Sequence, residues 1–123
     1  MTRNSERNHQ TVAQALIAMD ESWIALFRDV GLSDLSYSDL FTHMWLSRDQ
    51  VLHKTDLYTF MPSISRRTAV KYVQQLIDQG LLQETGAEED KRVRRVTLTA
   101  PLIERLERFY DETIKHFSTL AKS

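Results

Sequence analysis

Ser65-Arg66-Arg67-Thr68-Ala69-Val70-Lys71-Tyr72-Val73-Gln74-Gln75-Leu76-Ile77-Asp78-Gln79-Gly80 is the stretch on which the fold turns. Its serine is a good N-cap, because a short hydroxyl can accept from the N–H groups of a first helical turn. Its glycine is a good stop, because it tolerates the left-handed conformation that ends a helix. Ala69, Val73, Leu76 and Ile77 share one face at steps of 4, 3 and 1. At about 100° per residue, Arg67, Thr68, Lys71 and Gln75 point the other way. The spacing predicts a helix over 65–79 with an apolar face for a core and an opposite face that is basic and hydrogen-bonding. Arg66 falls in the first turn, where a helix terminus already favours anions.

Downstream of Gly80 the period drops to two. Residues 81–85 and 93–99 read as strands, with Val96 and Leu98 turned inward, and the charged segment 86–92 reads as the tip between them. Upstream, Pro62 ends a short helix over 55–61, since a proline disfavours helical geometry in the residue before it; Leu57 and Phe60 are its inward residues. Another helix spans 36–46, with Leu40, Phe41, Met44 and Trp45 on one side and Ser36 or Ser38 as cap. Residues 47–49 form a turn, and Val51-Leu52 a short strand or a buried link.

The two outer segments are helices with broad apolar stripes. Over 11–30, Val12, Leu16, Met19, Trp23, Leu26 and Val30 recur at steps of 4, 3, 4, 3 and 4, and Gly31 stops the helix. Ala15, Ile24 and Phe27 widen that stripe. Pro101 opens the last helix, over 101–120, at a position where proline is tolerated. It carries Leu102, Leu106, Phe109, Ile114, Phe117 and Leu120, with Ile103 and Tyr110 alongside. Both stripes exceed what a small core can hide. The expectation is a homodimer whose interface uses Val12, Leu16, Met19, Trp23, Leu106, Phe109 and Phe117.

Composition bounds the rest. At 123 residues the chain is expected to be a single domain, and 41% hydrophobic residues with only 3 Gly and 2 Pro argue for an ordered, mostly α chain with a small β element. No apolar run reaches the roughly 18 residues of a membrane span, and the first ten residues lack the apolar stretch of a signal peptide. The absence of cysteine excludes disulfides and thiolate metal sites and fits a cytoplasmic protein. His9, His43, His53 and His116 fall at no metal-ligand spacing, so neither metal nor cofactor is expected. There is no nucleophile-elbow pattern and no phosphate loop. Glu88-Glu89-Asp90 sit on a hairpin tip, a poor place to hold carboxylates for acid–base work. The chain does not read as an enzyme.

Net charge is −1, yet the charge is unevenly spread. Residues 63–96 carry 7 basic and 5 acidic side chains and are the only net-positive stretch, through Arg66, Arg67, Lys71, Lys91, Arg92, Arg94 and Arg95. A local basic patch on a neutral chain suits a footprint on phosphate, or else a solvated face. Short helix, turn, helix with a polar outer face, then hairpin is the order of a winged helix-turn-helix.

The residues carry the likeness further. Leu57, Ile64-Ser65 with Thr68, Leu76 with Gly80-Leu81, Asp90-Lys91-Arg92 and Leu98-Thr99 together resemble the MarR family of bacterial transcription regulators. The resemblance covers about residues 35–100, with the lobe over 36–99 as the DNA-binding part and 11–30 and 101–120 as dimerisation helices. It implies recognition-helix contacts from Ser65, Arg66, Arg67, Thr68, Lys71 and Gln75. It also implies an arginine at the wing tip, Arg92, that enters the minor groove and is oriented by Asp90. Lys71, Lys91 and Arg94 would meet phosphates on a palindromic double-stranded operator. The resemblance leaves room for a small aromatic effector near Trp23, Phe41, Trp45, Phe109 and Tyr110, residues that core and dimer packing would equally use. Two other readings stay open: a winged-helix module whose basic face docks an acidic protein, with Gln83, Glu84, Glu88 and Glu89 as its mixed-sign surface, and a replication or partition protein that binds direct repeats.

Overall fold

A computed structural model describes the backbone of residues 3–87 and 90–118 and the side chains of 5–86 and 94–118. The elements run α1 (Arg3–Phe27), a tight turn (Arg28–Val30), α2 (Leu35–Leu46), α3 (Lys54–Thr59), α4 (Arg66–Asp78), β1 (Leu82–Ala87), β2 (Asp90–Leu98) and α5 (Ala100–Phe117). Residues 1–35 with 105–123 form one compact unit and 36–104 another.

The 36–104 unit is built on α2, α3 and α4. Leu40, Phe41, Leu57, Ala69, Val73 and Leu76 are completely buried, as the apolar spacing requires. Each such side chain contributes about 1.5–3 kcal/mol on leaving water when it is the size of valine or larger. Tyr37 stacks on Tyr72 with ring centroids 4.6 Å apart, which joins α2 to the flank of α4. Helix α4 ends in a Schellman arrangement. The Leu81 N–H donates to the Leu76 carbonyl at 3.0 Å and the Gly80 N–H to that of Ile77 at 3.1 Å. Gly80 has φ +76°, the left-handed value that a side chain would strain. This turn delivers the chain directly into β1.

β1 and β2 form a two-stranded antiparallel sheet, regular from Leu82↔Leu98 to Gly86↔Arg94. Ala87 then pairs with Asp90, so Lys91, Arg92 and Val93 are passed over by the register. The strands thus reach further into the charged segment than the expected tip of 86–92. Ladder hydrogen bonds involve only the backbone, so a strand can run through charged residues that periodicity takes for loop. Leu52 is the buried link; its carbonyl accepts from the Val96 N–H at 2.8 Å. Three other expectations are corrected. Ser36 lies inside α2, buried, with its hydroxyl 3.4 Å from that of Ser63, and does not cap from outside. Phe60, at the C-cap of the six-residue α3, is only half-buried and stacks on His43 with centroids 4.9 Å apart. Leu98 is also half-buried, at the base of the ribbon.

In the other unit, α1 begins at Arg3, well ahead of the expected residue 11. An apolar stripe detects only the part of a helix that is covered, and the polar first turns have none. Trp23 organises the core. Its ring stacks on Phe27 at 3.9 Å and meets Phe109 edge-on at 5.1 Å, while its Nε1 donates to the Leu32 carbonyl at 2.9 Å. Gly31, φ +76°, closes a second Schellman turn through Leu32 N–H to Phe27 O at 3.0 Å. Arg105 on α5 spans to this turn. Its guanidinium donates to both carboxylate oxygens of Asp29 at 2.8 Å and to the Leu26 carbonyl at 2.6 Å. That hydrogen-bonded pairing holds the Asp29 carboxyl below its ordinary value and raises the guanidinium's.

Candidate nucleic-acid interface

Helix α4 is aimed by its ends. Ser65, extended at φ −68° and ψ 156°, accepts from the Thr68 N–H at 3.1 Å. The same hydroxyl donates to Thr68 Oγ1 at 3.0 Å, so Thr68 is half-buried and engaged in the cap, not presented on the outer face as the sequence reading had it. Arg67, Lys71 and Gln75 are exposed, opposite the buried Ala69, Val73 and Leu76. Arg66 is exposed too, but it leans aside. Its guanidinium carbon lies 5.3 Å from the centroid of Tyr58 on α3, within cation–π range. Spacing carried a hint of this, since Arg66 is about 100° around the helix from Arg67. The partner ring carried none.

A chain of polar side chains joins the ribbon to α3 and α4, and sequence reasoning missed it. Glu84 on β1, with 16% of its side chain exposed, sits 3.3 Å from Lys54 Nζ and 3.5 Å from an Arg94 guanidinium nitrogen. Lys54 Nζ also donates to Gln74 Oε1 at 3.3 Å, and Gln74 Nε2 donates to Asp78 Oδ1 at 3.0 Å. The His53 Nδ1 lies 2.7 Å from the Arg94 carbonyl; a carbonyl only accepts, so that nitrogen carries the proton. Arg94, expected to be a phosphate contact, is therefore partly committed to Glu84, though its side chain stays 54% exposed. Partners so distant in sequence leave no local signal.

The side chains of Asp90, Lys91 and Arg92 lie outside the described residues, as do Glu88 and Glu89; of this group the backbone of 90–92 is placed, in β2. Among the residues expected at a dimer interface, Trp23, Leu106 and Phe109 are buried in the chain's own packing and offer no surface. They belong to the same stripe as the outer residues, and periodicity alone cannot divide a stripe between inner core and outer contact. Val12, Met19 and Phe117 are half-buried, and Leu16 is exposed. Ile17 and Ile114, 62% and 65% exposed, are apolar surface that the expectation had left out.

Of the aromatic residues considered for an effector, Trp23 and Phe109 pack on each other, Phe41 packs near Tyr37, and Trp45 lies under the Arg48 guanidinium at 4.6 Å. A cavity of about 180 Å³ in the 36–104 unit is lined by Met44, Arg48, Gln50, Leu52, Val96, Thr97, Leu98 and Ile103. Among the described residues, no three His, Cys, Asp or Glu cluster as metal ligands, and no helix is long and apolar enough to cross a membrane.

A capped helix with a basic outer face, preceded by a short helix and followed by a two-stranded ribbon, defines the winged helix-turn-helix class. Within that class the chain has the MarR-type fold. It is similar to the heme sensor protein PefR from Streptococcus agalactiae in complex with heme, at 19% identity and a TM-score of 0.55, over 99% of this chain and 84% of that one. It is similar to AbsC, a MarR family transcriptional regulator from Streptomyces coelicolor, at 17% identity and a TM-score of 0.55, again over 99% and 84%. A mutant of MarR from E. coli complexed with operator DNA aligns at 13% identity and a TM-score of 0.52, over 92% of this chain and 81% of that one. No protein-family model and no curated protein matches the sequence.

Proposed function

We propose that the chain is a sequence-specific, double-stranded-DNA-binding regulator of transcription that acts as a homodimer and not as an enzyme. The observation that carries this is the outer face of α4, where Arg67, Lys71 and Gln75 are exposed on a helix held at both ends. α4 would lie in a major groove, Arg67 on a guanine O6/N7 edge and Lys71 on phosphate. The ribbon 81–99 would follow the adjacent minor groove, with Arg92 inserted and Asp90 orienting it. Residues 36–99 form the DNA-binding lobe in this reading, and 11–30 with 101–120 the dimerisation helices. Two-fold symmetry then calls for a palindromic operator with half-sites about one helical turn apart.

A fold neighbour complexed with operator DNA supports the reading. Another is a heme sensor in complex with heme, and by analogy a small effector belongs to the proposal; the cavity beside Met44 and Arg48 is a place for an aromatic one. A cytoplasmic site of action goes with it. Glu84, one of the three carboxylates that favoured a protein-docking module, is ion-paired to Lys54 and Arg94.

Site selection from a random duplex library at two salt concentrations tests the proposal. A palindromic consensus weakened steeply by salt is expected. Arg67→Ala should relax the consensus, whereas Lys91→Ala should weaken all sequences alike. Absence of enrichment at low salt would refute DNA binding, and uniform loss in both variants would refute the division of roles.

A further inference from the structure

We infer that Val70 is a base-reading residue, specific for the methyl group of a thymine beside the guanine taken by Arg67. The inference rests on the DNA-binding reading and deepens it. Val70 is 43% exposed in the middle of α4. A β-branched residue at an exposed helical position loses rotamer freedom and gains little burial in return, so it is a poor choice for the helix itself. Its neighbours are polar: Arg66 and Arg67 one turn before it, Gln74 one turn after.

Two of those neighbours are engaged elsewhere. Arg66 rests over Tyr58, and Gln74 is held between Lys54 and Asp78, with its carbonyl oxygen and its amide nitrogen both in hydrogen bonds. Val70 lies between those two engaged residues on the helix surface and about 60° around it from the exposed Arg67, which leaves Arg67 as the charged group and Val70 as the apolar one at that edge of the outer face. In a major groove the apolar feature on a base edge is the C5 methyl of thymine. Arg67 and Val70 are about 4.5 Å apart along the helix axis. With base pairs about 3.4 Å apart, Val70 meets the base pair next to the guanine, or one beyond it.

The test combines a change in the protein with a change in the DNA. Once wild-type protein has selected its operator, each thymine of one half-site is replaced in turn by deoxyuridine, which removes the methyl group alone. Wild-type protein should lose about fourfold in affinity at one position, the worth of one buried methyl group. Val70→Ala, a surface change that leaves the fold intact, should bind thymine and deoxyuridine alike at that position. Arg67→Ala should still distinguish them. Indifference of the wild type to every replacement, a half-site without thymine, or a penalty that persists in Val70→Ala would each overturn the inference while leaving DNA binding in place. Failure of the wild type to select any duplex would instead bring down the DNA-binding reading, and this inference with it.

Discussion

The N-cap of α4 can be changed so that stability and the proposed DNA binding part company. Ser65→Ala removes the oxygen that accepts from the Thr68 N–H at 3.1 Å. Losing such a cap costs about 1 kcal/mol. With an unfolding entropy of about 2.1 cal/mol/K per residue over 123 residues, that is a fall in Tm of about 4 °C. Ser65→Asp keeps an acceptor at the same place and adds a negative charge at the positive end of the helix, so its Tm should equal or exceed the wild type's. Facing DNA, that carboxylate is a liability. At about 4 Å from a phosphate it costs about 1 kcal/mol even at the dielectric constant of water, a loss of about fivefold or more in affinity. Thermal melts followed by circular dichroism and titrations of a labelled operator read the two effects separately. If Ser65→Asp melts as low as Ser65→Ala, Ser65 is not the cap. If it melts like the wild type and binds the operator equally well, the start of α4 does not face DNA.

Leu106, completely buried, should cost about 2–5 kcal/mol when changed to alanine, read as a lower urea midpoint with the slope unchanged. Asp29 is held below its ordinary value of 3.8 by Arg105, so it stabilises the fold above that pH, and the contribution is lost as pH falls through the lowered native value. Asp29→Asn should therefore flatten part of the acid limb of stability below pH 3.8, and an unchanged limb in an acid titration would contradict the pairing. Ile17→Asp places a charge on the exposed apolar surface of α1 and should shift the proposed homodimer towards monomer in sedimentation without lowering helix content.

The helices were legible wherever a covered face imposed its period. Ala69, Val73 and Leu76 mark α4, and Ser65 and Gly80 bound it, because caps and buried faces are local properties written in neighbouring residues. Three features escaped for physical reasons. The polar start of α1 has no covered face to advertise it. Trp23 shared a stripe with Leu16 and Val12 on α1, and Leu106 and Phe109 shared one with Phe117 on α5; only the packing of the two helices decided which of them went inside. The setting of Arg66 over Tyr58 and of Glu84 between Lys54 and Arg94 depends on residues brought together from different elements, which no periodicity records. At the candidate interface the residue types were therefore readable, whereas the constraint on Arg66, Thr68 and Arg94 was not.

The ionic link between ribbon and helices has a consequence for how a binding isotherm is interpreted. Lys54, Glu84 and Arg94 lie near the surface, where dissolved ions screen such pairs. Added salt acts on them in the unbound protein at the same concentrations at which it competes for phosphate. Part of the fall in log K with log salt would then report a loosening of the protein before it meets DNA. Counting phosphate contacts from the slope alone would give too many. Glu84→Gln, in which the link is already cut, should return the smaller count.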